Sequence, residues 1–113
     1  MKELPLTDPI TDFDGTPLAL DANGTHLTIG NALVRQLALA KSEGEAAFLT
    51  FDLGRKLVAA VKDEDETLLV ESAEFDHLIT CVAANNAQFV DLVQAQVRRA
   101  LDDAPEVNVK KAD

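Results

Sequence analysis

The fold of this chain is decided by its helical stretches, and the clearest of them is FVDLVQAQVRRAL, residues 89–101. The apolar side chains that recur in it at four-residue spacing are Phe89, Val93, Val97 and Leu101, with Val90 alongside. Side chains at this spacing lie on one face of a helix. The stretch therefore predicts an amphipathic helix whose apolar face packs against the rest of the chain or forms an interface with a second copy.

Two more helices are predicted upstream by similar spacing and by their caps. The first begins near Thr28, whose hydroxyl can accept hydrogen bonds from the free N–H groups of a first helical turn. The second runs from about Glu43 to Lys62, because Ser42 and Glu45 have the spacing of a capping box. Its apolar stripe consists of Leu49, Leu53, Leu57, Val58 and Val61, with Phe48 and Phe51 on the flanks.

A further helix and a small β element complete the expected fold. The helix is predicted from Ala73 to about Ala84, with Ser72 as its cap. Residues 67–70 form either a short strand or the apolar lead-in to this helix. Near the start of the chain, Asp14-Gly15 is a strong signal for a tight turn between two short segments. We therefore expect a β-hairpin or an irregular equivalent at this turn.

These elements predict one domain of class α+β, mainly α, in which a small N-terminal β-hairpin is followed by a bundle of about four helices. A hydrophobic content of 47% is enough for a single core in 113 residues. Residues 1–102 are expected to form the globular domain. Residues 103–113 contain Pro105 and a charged end, and they are expected to form a disordered tail.

The charge of the chain limits the partners it can bind. It has 20 acidic and 10 basic residues, which gives a formal charge of −10. This charge argues against direct binding to nucleic acid or to an anionic membrane, since both need a basic surface, and it leaves room for a basic protein partner. Cys81 is the only cysteine, so no intrachain disulfide forms. With no apolar run near the roughly 20 residues that span a bilayer, we expect a cytoplasmic protein.

One motif suggests catalysis. Asp12-Phe13-Asp14-Gly15-Thr16 resembles the first motif of the haloacid dehalogenase-like phosphatases. In that family the first Asp is the nucleophile and the second is the acid/base, beside a magnesium ion, which implies these roles for Asp12 and Asp14. The family needs a buried parallel strand before the motif, and residues 6–11 contain Asp and Pro in place of a continuous apolar run. The phosphatase is therefore the weakest of the functions considered.

The other reactive side chains give no recognisable site. His26 and His77 belong to no motif with metal-ligand spacing, and we expect no metal or cofactor. His77 lies four residues before Cys81 on the same predicted helix, so a thiol–imidazole pair is geometrically possible. A buried, inert cysteine is the favoured interpretation.

The order of the segments resembles small proteins encoded by tailed bacteriophages and prophages. The resemblance runs from about Asp12 to Leu101, and the segments that carry it are DGTPL (14–18), LTIGNALVRQL (27–37) and FDLGRKLV (51–58). This chain has Gly54 and Arg55 where that pattern tends to have Ala before a helical Lys. The resemblance implies a phage or prophage accessory protein in the host cytoplasm that acts through protein contacts, with virion or tail assembly as one role.

Three functional hypotheses follow, and the first is a non-enzymatic interaction protein. Its partner would be another protein or a second copy, with Phe89, Val90, Val93, Val97 and Leu101 as the candidate interface. The second is an acidic mimic of nucleic acid that occupies a host DNA-binding protein. The third is the Asp12/Asp14 phosphatase.

Overall fold

Four helices and two short strands make up the described part of the chain, which in the computed structural model comprises residues 1–19, 22 and 24–107. In chain order they are β1 (Lys2–Pro5), α1 (Ile29–Ala38), α2 (Glu45–Lys62), β2 (Thr67–Val70), α3 (Ser72–Ala84) and α4 (Asp91–Asp102). The predicted class, α+β and mainly α with four helices, is confirmed.

The two strands pair with each other although 61 residues separate them in the chain. β1 and β2 are antiparallel, with Leu4 opposite Leu68 and Lys2 opposite Val70. Leu4 and Val70 are fully buried, so the sheet covers one end of the helical core. Residues 67–70 are therefore a strand, which decides between the two alternatives left open by their sequence.

The turn at Asp14-Gly15 forms the irregular equivalent of a hairpin. The Asp12 N–H donates to the Thr16 carbonyl at 2.8 Å, and the Leu18 N–H donates to the Ile10 carbonyl at 2.9 Å. Gly15 has a φ of +87°, a conformation that glycine adopts without strain. Pairing is limited to isolated bridges, because Pro17 in the returning segment has no N–H to donate.

The helix starts agree with one of the predicted caps and correct two others. Thr28 caps α1, accepting from the Asn31 N–H at 3.2 Å. The predicted capping box at Ser42 is wrong, because the residue before α2 is Gly44, which has a φ of +60° and makes no side-chain cap bond. Ser72 is the first residue of α3 rather than its cap; the cap is Glu71, whose N–H donates to Glu74 Oε1 at 2.9 Å.

Helix α1 lies at the centre of the bundle, in contact with α2, α3 and α4. Its start packs tightly against the N-terminal segment, where the Gly30 N–H donates to the Leu6 carbonyl at 2.9 Å. A Cβ atom at Gly30 would lie 3.0 Å from that carbonyl oxygen and 3.0 Å from Val61 Cγ2. The glycine thus allows the chain before α1 to cross closely over the end of α2.

A network of buried amide side chains connects three of the helices. Gln36 of α1 donates to Gln94 Oε1 of α4, and Gln94 in turn donates to the Val82 carbonyl of α3 at 3.1 Å. Asn85, at the end of α3, donates to the Gln36 carbonyl at 2.7 Å and to its Oε1 at 3.0 Å. Within the described residues, every buried side-chain nitrogen and oxygen has a hydrogen-bond partner.

The packed part of the chain continues beyond the predicted boundary at residue 102. Ala104 is buried, and the Pro105 carbonyl accepts from the Glu3 N–H at 3.0 Å. Glu106 forms ion pairs with Lys2 and with the amino group of Met1. Residues 103–107, expected in a disordered tail, therefore lie against β1, and residues 108–113 are outside the described part.

Candidate functional site

The two aspartates of the phosphatase-like motif lie in an exposed turn and serve that turn. Asp12 Oδ1 accepts from the Phe13 N–H at 2.7 Å, and Asp14 Oδ1 accepts from the Thr16 N–H at 2.9 Å. The bond to Thr16 lowers the pKa of Asp14, because it stabilises the carboxylate form. Residues 6–11, directly before Asp12, form only isolated bridges, in place of the buried parallel strand that the phosphatase family has there.

The thiol–imidazole pair considered from the sequence does form between neighbouring turns of α3. His77 Nε2 lies 3.5 Å from Cys81 Sγ and 2.6 Å from Thr50 Oγ1 of α2. The Thr50 hydroxyl lies 3.0 Å from the Ala46 carbonyl, to which it can donate. These side chains join α2 to α3, and His26 is exposed elsewhere on the molecule.

Counting protons shows what His77 can do for Cys81. The Thr50 hydroxyl has one proton to donate. If this proton goes to the Ala46 carbonyl, then His77 Nε2 must carry a proton to donate to Thr50, and it has no free lone pair. If the proton goes to Nε2, then the lone pair is already occupied. In either arrangement Nε2 is engaged by Thr50, and Cys81 has no free base beside it.

Burial also acts against a reactive thiolate. Cys81 is 4% exposed, and loss of hydration raises the pKa of its thiol, an effect that the nearby Thr50 hydroxyl offsets only in part. A thiol with a raised pKa holds less thiolate at neutral pH than an ordinary cysteine does. These observations favour the interpretation of Cys81 as a packed, inert side chain.

We therefore predict that Cys81 reacts slowly with alkylating reagents in the folded chain. At pH 8 the rate with iodoacetamide should be at least about tenfold lower than in the same chain unfolded in urea, since only the thiolate reacts and the reagent must reach it. The rate should rise at a higher pH in the folded chain than in the unfolded chain. Equal rates in both states, measured by mass spectrometry, would contradict this assignment.

The apolar stripe predicted on the last helix is divided between the core and the surface. Val97 and Leu101 are 0% and 1% exposed and belong to the core of a single chain. Val93 and Phe89 are half-buried, and Val90, the cap of α4, is 66% exposed. An interface through this stripe stays a prediction, and Val90 is the one member that already faces solvent.

A different helix presents the larger exposed apolar surface. Phe48 and Phe51 of α2 are 73% and 63% exposed, and Val58, which the sequence placed in the core stripe, is 39% exposed. The residues that point away from the core form the α2 outer face, defined as Phe48, Phe51, Arg55, Val58 and Lys62. The Arg55 guanidinium lies 5.8 Å from the centre of the Phe51 ring, within the range of a cation–π contact.

An open groove runs beside this face between α1 and α2. It has a volume of about 570 Å³ and is lined from α1 by Val34, Leu37 and Ala38. Gly54 lies in its α2 wall, and a Cβ atom there would meet no other atom within 4 Å. Gly54 is therefore not required by packing within the chain, and its missing side chain leaves the groove open. We call this cavity the α1–α2 groove.

The spacing of the α2 outer face is present in the sequence, although it did not lead to the prediction of an exposed face. Residues 48, 51, 55, 58 and 62 are separated by three, four, three and four positions, the spacing of a second stripe on the same helix. Leu53 and Leu57, which are fully buried, define the first stripe on the opposite side. Arg55 and Lys62 interrupt the apolar pattern of the second stripe, so Phe48 and Phe51 had the form of flanking residues.

A second groove lies between the Asp12 turn, β1 and α4. It has a volume of about 770 Å³. The side chain of Gln96, on α4, holds the segment beside the Asp12 turn by donating to the Thr11 carbonyl at 2.7 Å and accepting from the Thr11 N–H at 2.9 Å. The carboxylates of the groove come from Glu3, Asp8, Asp12, Asp91 and Asp103, with Arg99 among them. Phe13, at its rim, is 93% exposed. We call this the acidic groove.

Comparisons with known proteins give no match to this chain among protein-family models, curated proteins or solved structures. In the part of the chain that the structure describes, no three His, Cys, Asp or Glu side chains are grouped so as to hold a metal ion. None of the helices described combines the length and the apolar character needed to cross a membrane. The function must therefore be argued from the surfaces themselves.

Proposed function

We propose that this chain is a non-enzymatic protein that acts by binding another protein through the α2 outer face and the α1–α2 groove. The resemblance of its segments to small phage and prophage proteins supports an accessory role there, such as virion or tail assembly. One observation carries the proposal: in an otherwise acidic chain, Phe48 and Phe51 are 73% and 63% exposed on one face of α2, and Phe51 lines an open apolar groove.

The physical argument is that these side chains gain more from a partner than from water. Full burial of a Phe side chain contributes about 1.5–3 kcal/mol, and aromatic anchors beside a pocket often dominate binding energy. Exposed apolar side chains scattered singly need no explanation, but Phe48, Phe51 and Val58 share one helix face, and Phe51 and Val58 line a cavity. The negative charge elsewhere keeps the chain soluble while this face remains free.

The test is affinity capture from induced phage-carrying cells with three tagged proteins. These are the wild type, the double variant Phe48→Asp/Phe51→Asp, and the control Phe13→Asp, which introduces the same residue at a more exposed ring on another face. We expect the double variant to recover its main partner at least about tenfold less efficiently, because charges replace the anchors, and we expect the control to match the wild type. Equal recovery by the wild type and the double variant would contradict the proposal.

The acidic groove supports a second candidate, the nucleic-acid mimic. Acidic residues that are spread along the sequence, such as Asp12, Asp91 and Asp103, line one groove in the structure. A cluster of carboxylates attracts basic surfaces, and such attraction weakens as salt is added. Capture of DNA-binding proteins that survives Phe48→Asp/Phe51→Asp but is lost on Asp91→Lys/Asp103→Lys would favour this function over the first.

A further inference from the structure

We infer that the α2 outer face pairs with the same face of a second copy of this chain, with the two α2 helices antiparallel and crossing near Gly54. This inference rests on the proposed function and names the partner of the same surface. It uses a different surface from the self-association predicted through the last helix, where Val97 and Leu101 belong to the core of one chain.

The spacing of the face fits a helical partner. Phe48, Phe51, Arg55, Val58 and Lys62 alternate three- and four-residue steps, the repeat by which two helices pack side by side over several turns. The α2 helix has 18 residues, enough for this face to extend along about five turns. An open position at Gly54 lets a second helix approach closely at the centre.

The order of charges along α2 identifies that helix as a second α2 in the opposite direction. The exposed acids, Glu45 and Asp52, lie in its first half, and the exposed bases of the face, Arg55 and Lys62, lie in its second half. An antiparallel pair crossing near Gly54 places Lys62 opposite Glu45 of the other copy, and Arg55 opposite Asp52. The two-fold symmetry makes each contact twice.

The apolar residues match in the same register. Val58 of one copy comes opposite Leu49 of the other, and Phe48 comes opposite Ala59, next to the α1–α2 groove. A parallel pair would instead bring Lys62 against Lys62 and Arg55 against Arg55. The antiparallel arrangement avoids this repulsion and also aligns the helix dipoles favourably.

The first measurement is sedimentation equilibrium of the wild type at about 0.15 M salt. At this concentration charges more than roughly 8 Å apart are screened from each other, so the net charge of −10 on each chain opposes association less. We expect a reversible monomer–dimer equilibrium. Phe48→Asp should weaken the dimer at least about tenfold, while Phe13→Asp and Val90→Asp should leave it unchanged. A wild type that stays monomeric at the highest concentration would overturn the inference, as would loss of the dimer on Val90→Asp.

Charge reversal tests the antiparallel register. Lys62→Glu and Glu45→Lys should each weaken the homodimer about tenfold, since each creates two like-charge contacts. An equimolar mixture of the two variants should recover wild-type affinity, because both contacts then join opposite charges. Asp76→Lys changes the charge in the same direction as Glu45→Lys but lies on α3, so its mixed dimer with Lys62→Glu keeps one like-charge contact and should stay weaker than the wild-type dimer. A mixture no tighter than the separate variants would overturn the antiparallel pairing.

Failure of self-pairing can be told apart from failure of the proposed function. If the wild type is monomeric and Phe48→Asp/Phe51→Asp still loses a captured partner, the face binds a different protein and the inference is overturned while the proposed function stands. If the wild type dimerises and the mixture of charge variants recovers affinity, the second copy is the partner of this face.

Discussion

Leu33→Ala is expected to lower the free energy of unfolding by about 2–5 kcal/mol. Leu33 is fully buried on α1, which like α3 contacts the other three helices, so its neighbours come from several elements that cannot all move into the space left behind. The cost therefore includes both the lost burial of the side chain and the remaining cavity. A domain of this size has a total stability of roughly 5–15 kcal/mol, so the variant should lose a large part of it.

The control for this prediction is Leu39→Ala. It removes the same atoms just after the end of the same helix, where the side chain is 42% exposed. We expect its effect to stay below about 1 kcal/mol, since much less apolar surface returns to water. Urea unfolding followed by circular dichroism measures both values. Equal effects for the two substitutions would contradict the central position of α1.

Asn85→Ala is expected to lower the free energy of unfolding by about 2–3 kcal/mol through unsatisfied polar groups. The Gln36 carbonyl is one of the last four of α1, where helical N–H partners run out. The carbonyls of Arg35 and Leu37 accept hydrogen bonds from backbone N–H groups, whereas the Gln36 carbonyl accepts from Asn85 Nδ2 at 2.7 Å. Removal of the amide leaves that oxygen and Gln36 Oε1 buried without this donor.

Gln88→Ala provides the matched control for this second prediction. It also removes an amide, three residues further along the chain, from an exposed position. We expect a change within about 0.5 kcal/mol, as for most surface substitutions. If Asn85→Ala proved as mild as Gln88→Ala, the amide network would not contribute to stability, and the connection between α1 and α3 would have to rest on apolar packing alone.

Local chemistry explains which parts of the fold were predictable. The Thr28 cap and the spacing of apolar residues located α1, and the ends of α2, α3 and α4 fell within a few residues of their predicted positions. The pairing of β1 with β2 was not predictable in this way, because it joins segments about 65 residues apart and depends on tertiary packing. The cap at Gly44 was not predicted either, because Ser42 and Glu45 have the sequence spacing of a capping box and Gly44 has no capping side chain.

The candidate site was harder to predict than the fold. Helical spacing shows that residues share a face but not which of two apolar faces the protein buries. In α2 both faces carry apolar residues, and only the structure shows that Leu53 and Leu57 are inside while Phe48 and Phe51 are outside. The same limit applies to α4. The spacing of its apolar residues did not decide between core and interface, and the structure shows that Val97 and Leu101 belong to the core.

The central claim is that the α2 outer face contacts another protein in the cell, and photo-crosslinking tests it most directly. A photoreactive phenylalanine analogue would replace Phe51 in one protein and Phe13, which is 93% exposed, in a control. We expect a specific crosslinked protein, or a crosslinked pair of this chain, from position 51 and none from position 13. Crosslinks from position 13 alone would contradict it and direct attention to the acidic groove.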